Sequence, residues 1–246
     1  MSTVNQVRQI LLNDGVIANA IRTHNGTDDE KQTINPSDVV VTLETGLQRG
    51  FALKSAGCDI SHANPGFGTI EKVTKTNLSY IYDENIIALQ CESGQVMLGE
   101  EDWKRRLKDD ASLRSMVQKY QLQTLHTITD QMFLALIQVD VIILRDFIQE
   151  HILRAMPMNF PVYLIKASAT KAGLKPPVLL TNGFQYILST PERIKIEHQM
   201  GTTTIYFVHD DYGRFASLRI KLKTRFGYGS LCGISKLESG AYLENK

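Results

Sequence analysis

Apolar and polar positions recur with different periods along the chain, and these periods divide it into parts. Val4, Val7, Ile10, Leu11, Ile17, Ala18 and Ile21 fall at roughly helical spacing, which predicts a helix over 4–22. The polar stretch 23–35, with Asn25-Gly26 and the acidic run Asp28-Asp29-Glu30, reads as a loop. Val39-Val40-Val41-Thr42-Leu43 then predicts a buried strand, 45–48 a turn, and 50–54 the returning strand of a hairpin. Residues 57–77 are rich in Gly, Asn, Ser and Thr and read as loop. Residues 78–82 and 86–91 predict a second hairpin around Asp83-Glu84-Asn85.

From 100 to 154 the pattern turns helical. It includes an apolar helix at 130–153 carrying Phe133, Leu136, Ile137, Val141, Leu144, Phe147 and Ile148, and Pro157 and Pro161 close the block. The last third reads as strands at 162–167, 184–188, 194–198, 203–208 and 215–223. The expected fold class is mixed α/β with a β-rich C-terminal half. No linker interrupts the pattern, so a single domain over 1–246 is expected, made of a hairpin at 36–56, a helical block at 100–154 and a β-rich region at 162–246.

Composition narrows the class. With 43% hydrophobic and 22% charged residues among 246, the chain is globular, not disordered or fibrous. The most apolar stretch, 132–143, is broken by Gln138 and Asp140 and falls short of the roughly 20 residues a membrane span needs. The opening MSTVNQVRQ has no long apolar segment of a secretory signal. Cys58, Cys91 and Cys232 lie far apart without a CxxC pair, which leads us to expect a cytoplasmic protein without disulfides or structural zinc. Neither a GxxxxGK[ST] loop nor a GxGxxG turn occurs, so no nucleotide cofactor is expected. Net charge is +1, but residues 162–246 hold 12 Lys/Arg against 6 Asp/Glu while the rest is net acidic. A basic C-terminal third points to a polyanionic partner.

The stretch PSDVVVTLETGLQRGFALKSAG, residues 36–57, carries the candidate chemistry. Asp38 opens one apolar strand. Lys54 sits in the next, with Ala52 two positions before it, and the two-residue period of a strand puts 52 and 54 on one face. Here the sequence resembles the PD-(D/E)XK nuclease superfamily, which includes many type II restriction endonucleases. Pro36-Ser37-Asp38 stands for the first half of that motif and Ala52-Leu53-Lys54 for the second, with alanine where the family carries glutamate.

The resemblance implies a restriction-endonuclease-like core of a mixed sheet flanked by helices. It also implies Mg²⁺-dependent hydrolysis of double-stranded DNA at specific sites, and a homodimer matching a palindromic sequence. Asp38 would ligate Mg²⁺, an ion that takes oxygen ligands, and Lys54 would place the attacking water. Ala52 offers no ligand. Three readings of it stand open: an inactivating Glu→Ala substitution, a natural variant whose second acid has moved to Glu71 or Glu44, or an accidental motif. The alternatives to a nuclease are a non-catalytic DNA-binding or phage/plasmid accessory protein, and a structural or assembly protein whose basic strand contacts another subunit.

In 217–225 the basic residues Arg219, Lys221, Lys223 and Arg225 alternate with Leu218, Ile220 and Leu222. A strand there has one apolar face and one face of four positive charges, suited to DNA phosphates. Base-reading residues are expected in the loops 57–77 and 224–235. His209-Asp210-Asp211 reads as a plain turn with the following Tyr212-Gly213.

Overall fold

The computed structural model describes residues 3–22, 38–54, 65–93, 100–153, 160–166, 177–222 and 234–241. The chain opens with α1 (Thr3–Asp14). Gly15 then takes φ +129°, a conformation costly for other residues, and ends the helix. The expected helix over 4–22 is thus corrected: its second half is β1 (Ile17–Arg22), paired antiparallel with β2 (Val39–Leu43). The tight turn after β2, with Gly46 at φ +82°, leads into β3 (Gln48–Lys54), so the hairpin read from the sequence is present.

Within the stretch read as loop lies α2 (Phe67–Thr74), closed by Lys75 in the left-handed conformation at φ 56°. The expected second hairpin is instead one helix, α3 (Ser79–Ser93). Its aromatic and β-branched residues imitate a strand locally. Ile81 and Leu89 of the helix, with Leu78 just before it, are nevertheless buried, and that tertiary burial outweighs the local preference. Next come α4 (Glu100–Asp109), the 26-residue α5 (Ala111–Leu136) and α6 (Val141–Phe147), which runs into a π-helical turn, Ile148–Ile152. Asp110 and Asp140 start α5 and α6 by accepting hydrogen bonds from the N–H groups of Leu113 and Ile142.

After the helical block, β4 (Val162–Lys166) pairs parallel with β3, and the short β5 (Val178–Leu179) pairs antiparallel with β4. The strand expected at 184–188 is corrected to α7 (Leu180–Ser189), because Leu180, Phe184 and Ile187 are buried at helical spacing. A 3-10 turn, Pro191–Arg193, leads to β6 (Ile194–His198), β7 (Thr204–His209), β8 (Gly213–Leu222) and β9 (Ile234–Ala241), the last unforeseen from the sequence.

The fold is therefore mixed α/β. A mixed five-stranded sheet runs β1-β2-β3-β4-β5, and an antiparallel four-stranded sheet runs β6-β7-β8-β9. Both faces of the first sheet are covered. Val41, Leu43, Phe51 and Ile165 pack with Val7 and Leu11 of α1. On the opposite face Ala52, Val162 and Leu164 enter the main core with Ile70 of α2, Ile128 and Met132 of α5, and Phe207 and Leu218 of the second sheet. At about 1.5–3 kcal/mol for each large apolar side chain removed from water, this shared core is the main source of cohesion. A smaller cluster joins Leu89, Leu107, Leu113 and Val117 where α3, α4 and α5 meet. Among the described residues no helix is long and apolar enough to cross a membrane.

Candidate functional site

The strand pairing decides where the motif residues lie. β2 and β3 pair Val39 with Phe51 and Val40 with Gly50, and one further step of this register sets Asp38 opposite Ala52. Lys54, two residues beyond Ala52, follows on the same face. This is the face covered by the main core, because Ala52, Val162 and Leu164 all enter it.

Asp38 continues the sheet past the end of β2. Its N–H donates to the Phe51 carbonyl at 2.8 Å, and its Oδ2 accepts from the Leu53 N–H at 2.5 Å. The carboxylate thereby supplies the rung that β2 no longer offers, which fixes it at this edge. Ala52 has no exposed surface. Lys54 is half-buried, and among the described residues no ion pair joins it to Asp38.

The parallel pairing of β3 and β4 adds a residue that sequence reasoning missed. Lys54 is paired with Lys166, so the two lysines stand side by side at the carboxyl ends of parallel strands. Such ends, where the connecting loops part, are where open α/β sheets bind ligands. Lys166 is half-buried too, and among the described residues neither lysine side chain has a hydrogen-bond or ion-pair partner. The only sequence signal was a lysine at the end of an apolar strand, and nothing local told which strand would lie beside it.

Neither candidate for a displaced acid is placed to serve this edge. Glu44 lies in the turn at the other end of the hairpin, its N–H bonded to the Val16 carbonyl at 2.9 Å. All of β2 separates it from Asp38, about 20 Å at strand rise. Glu71 is engaged elsewhere: its Oε1 accepts from the N–H of Leu78 at 2.8 Å, the N–H of Ser79 at 2.9 Å and the Ser79 hydroxyl at 2.8 Å. It caps the start of α3. Burial pushes its carboxyl upward, but these hydrogen bonds favour the anion and leave it below the usual carboxylate value.

Mg²⁺ asks for several oxygen ligands. The described edge offers one carboxylate, already bonded to Leu53, beside two ammonium groups and a methyl group. Among the described residues no group of three or more His, Cys, Asp or Glu is placed to hold a metal ion. This donor set does not fit Mg²⁺.

The basic strand lies in the second sheet. In β8, Leu218 and Ile220 are buried and Arg219 is exposed, as the alternation predicts. Arg219 pairs with Glu238 and Lys221 with Lys236 across β9, so one basic position of the row faces an acid position. Lys223 and Arg225 lie outside the described residues, as does most of the loop 224–235. Part of 57–77, expected to read bases, is the helix α2.

Two histidine centres were not foreseen, and both are fully bonded. His198 of β6 lies beside Asp130 of α5, Nε2 to Oδ1 at 2.6 Å, while Nδ1 meets the Thr204 carbonyl at 2.9 Å. The Asp130 contact ties the second sheet to α5. His209, 1% exposed, contacts the Thr190 hydroxyl through Nε2 at 3.0 Å and accepts the Asp211 N–H on Nδ1 at 3.2 Å. Asp210 and Asp211 are held by Lys195 and Arg193, which matches the turn read from the sequence.

Compared with protein-family profiles, curated proteins and solved structures, the chain matches none.

Proposed function

We propose that the chain is a double-stranded-DNA endonuclease of the type II restriction kind, whose site lacks its second acid because position 52 is alanine. One observation carries this reading: Ala52 and Lys54 share a face of β3, and Asp38 is bonded to Phe51 and Leu53 at the same edge of a mixed sheet flanked by helices. A glutamate at 52 would complete an acid–acid–lysine set, for which Mg²⁺ is the proposed cofactor. With alanine present no step is assigned to the metal. In the chain as it stands, Lys54 supplies positive charge for a phosphate oxygen, and Asp38 holds the edge in place.

Arg219 and Lys221, with Lys223 and Arg225, are the proposed contacts to DNA phosphates, and a homodimer is the proposed assembly on a palindromic site. A second reading, a non-catalytic DNA-binding protein, is favoured by the burial of Ala52 in apolar surroundings and by the lysine that stands beside Lys54.

The test is Ala52→Glu, with folding checked by circular dichroism, incubated with supercoiled plasmid in Mg²⁺ and in EDTA. Nicking or linearisation that needs Mg²⁺ and disappears in Ala52→Glu/Asp38→Asn supports the nuclease. A folded Ala52→Glu protein that binds duplex DNA yet leaves it intact sinks that reading in favour of the second.

A further inference from the structure

An acid–acid–lysine set carries a net negative charge and draws a divalent cation. The edge built here has the opposite balance. Lys54 and Lys166 are paired across β3 and β4, and Asp38 provides the carboxylate. Two like charges on adjacent strands repel, more strongly where they are half-buried than in open water. Among the described residues no acidic side chain pairs with either lysine. Among the described residues this end of the two parallel strands therefore holds two amines and no paired anion, a charge balance that favours an anionic ligand.

We infer that the Lys54–Lys166 pair is a phosphate clamp that binds the backbone of duplex DNA without a divalent metal. Each ammonium donates to a non-bridging oxygen of one phosphodiester, and the carboxylate of Asp38 limits how deeply that phosphate sits. Mg²⁺ is unfavourable beside two ammonium groups and competes for the phosphate instead of bridging to it. This inference deepens the proposed function by assigning what the same edge holds when position 52 is alanine. It rests on that reading only for the choice of DNA.

The experiment is fluorescence anisotropy with the full-length chain and a labelled mixed-sequence duplex in EDTA, over a range of salt. Binding is expected in EDTA and should not tighten when Mg²⁺ is added. Lys166→Met keeps the length of the side chain and removes the charge. It should weaken binding on the order of tenfold, as expected for losing one charge-assisted contact. It should also lower the slope of log K against log salt by about 0.9. Lys54→Met should do the same, and Lys119→Met, at an exposed position of α5 already paired with Glu92, should do neither. Thermal melts of each variant separate lost binding from lost folding.

Binding that appears only with Mg²⁺, or a folded Lys166→Met protein with unchanged affinity and slope, overturns the clamp. The nuclease reading fails separately, when Ala52→Glu binds in EDTA but does not cut in Mg²⁺. Cutting by Ala52→Glu together with unchanged binding by Lys166→Met keeps the nuclease and removes the clamp.

Discussion

Replacing Glu71 with alanine removes one oxygen that three donors share. Ser79 is exposed, so its N–H and hydroxyl regain water at little cost. Leu78 is 2% exposed, and its N–H is left where water reaches poorly. A stranded buried donor costs about 1–3 kcal/mol, and loss of a helix cap about 1 kcal/mol, the two overlapping here because the same N–H counts in both. We expect Glu71→Ala to lose about 2 kcal/mol, and Glu71→Gln, which keeps an acceptor without the charge, about half of that. For a chain of this size the first value lowers the melting temperature by about 4–8 °C.

The acid side adds a signature to this prediction. The Glu71 carboxyl lies below its usual value in the fold, so the unfolded chain takes up its proton first. Its contribution is complete above about pH 4.5 and is lost as the pH falls through the lowered folded value. The parent should lose stability more steeply than Glu71→Ala on acidification. Urea and thermal unfolding followed by circular dichroism read both effects. A Glu71→Ala protein that melts like the parent, with the same acid dependence, refutes the cap and returns Glu71 to the list of acids free to serve the site.

Three further outcomes are expected. Asp130→Ala leaves a ring N–H of the buried His198 without its acceptor and should cost about 2–4 kcal/mol in urea unfolding, whereas a loss within the error of the fit would show that water replaces the carboxylate. His209 is held below the ordinary histidine value by burial, against the pull of Asp211, with Arg193 lowering it further. The unfolded chain therefore binds the proton first, and stability should be full above about pH 6.5 and decline below it, a slope that His209→Gln should flatten in melts taken from pH 7 to pH 5. Met132, with no exposed surface in the main core, should cost about 2–5 kcal/mol on replacement by alanine, and a much smaller loss would mean the core closes around the gap.

The hairpin that carries Asp38, Ala52 and Lys54 was legible because its run of valines, its turn and its return strand lie within twenty-odd residues and obey a local period. The alternation in β8 was legible for the same reason. The misread elements failed on the same ground. In α3 and α7, short apolar runs satisfy both a two-residue and a 3.6-residue period, and only packing against α5 and β4 decides between them. Glu71 looked free in the sequence because the donors it serves belong to a helix that was itself read as a hairpin.

The amino-acid order by itself determined a mixed α/β chain, a hairpin with an acid and a lysine at one end, and a basic alternating strand near the other terminus. Tertiary structure alone decided that β4 returns beside β3 after the whole helical block, placing Lys166 next to Lys54, and that Asp130 meets His198. Local periodicity records which face of an element is buried. It holds no record of which distant element will cover that face, because this choice is made by the collective burial of apolar surface across the folded chain.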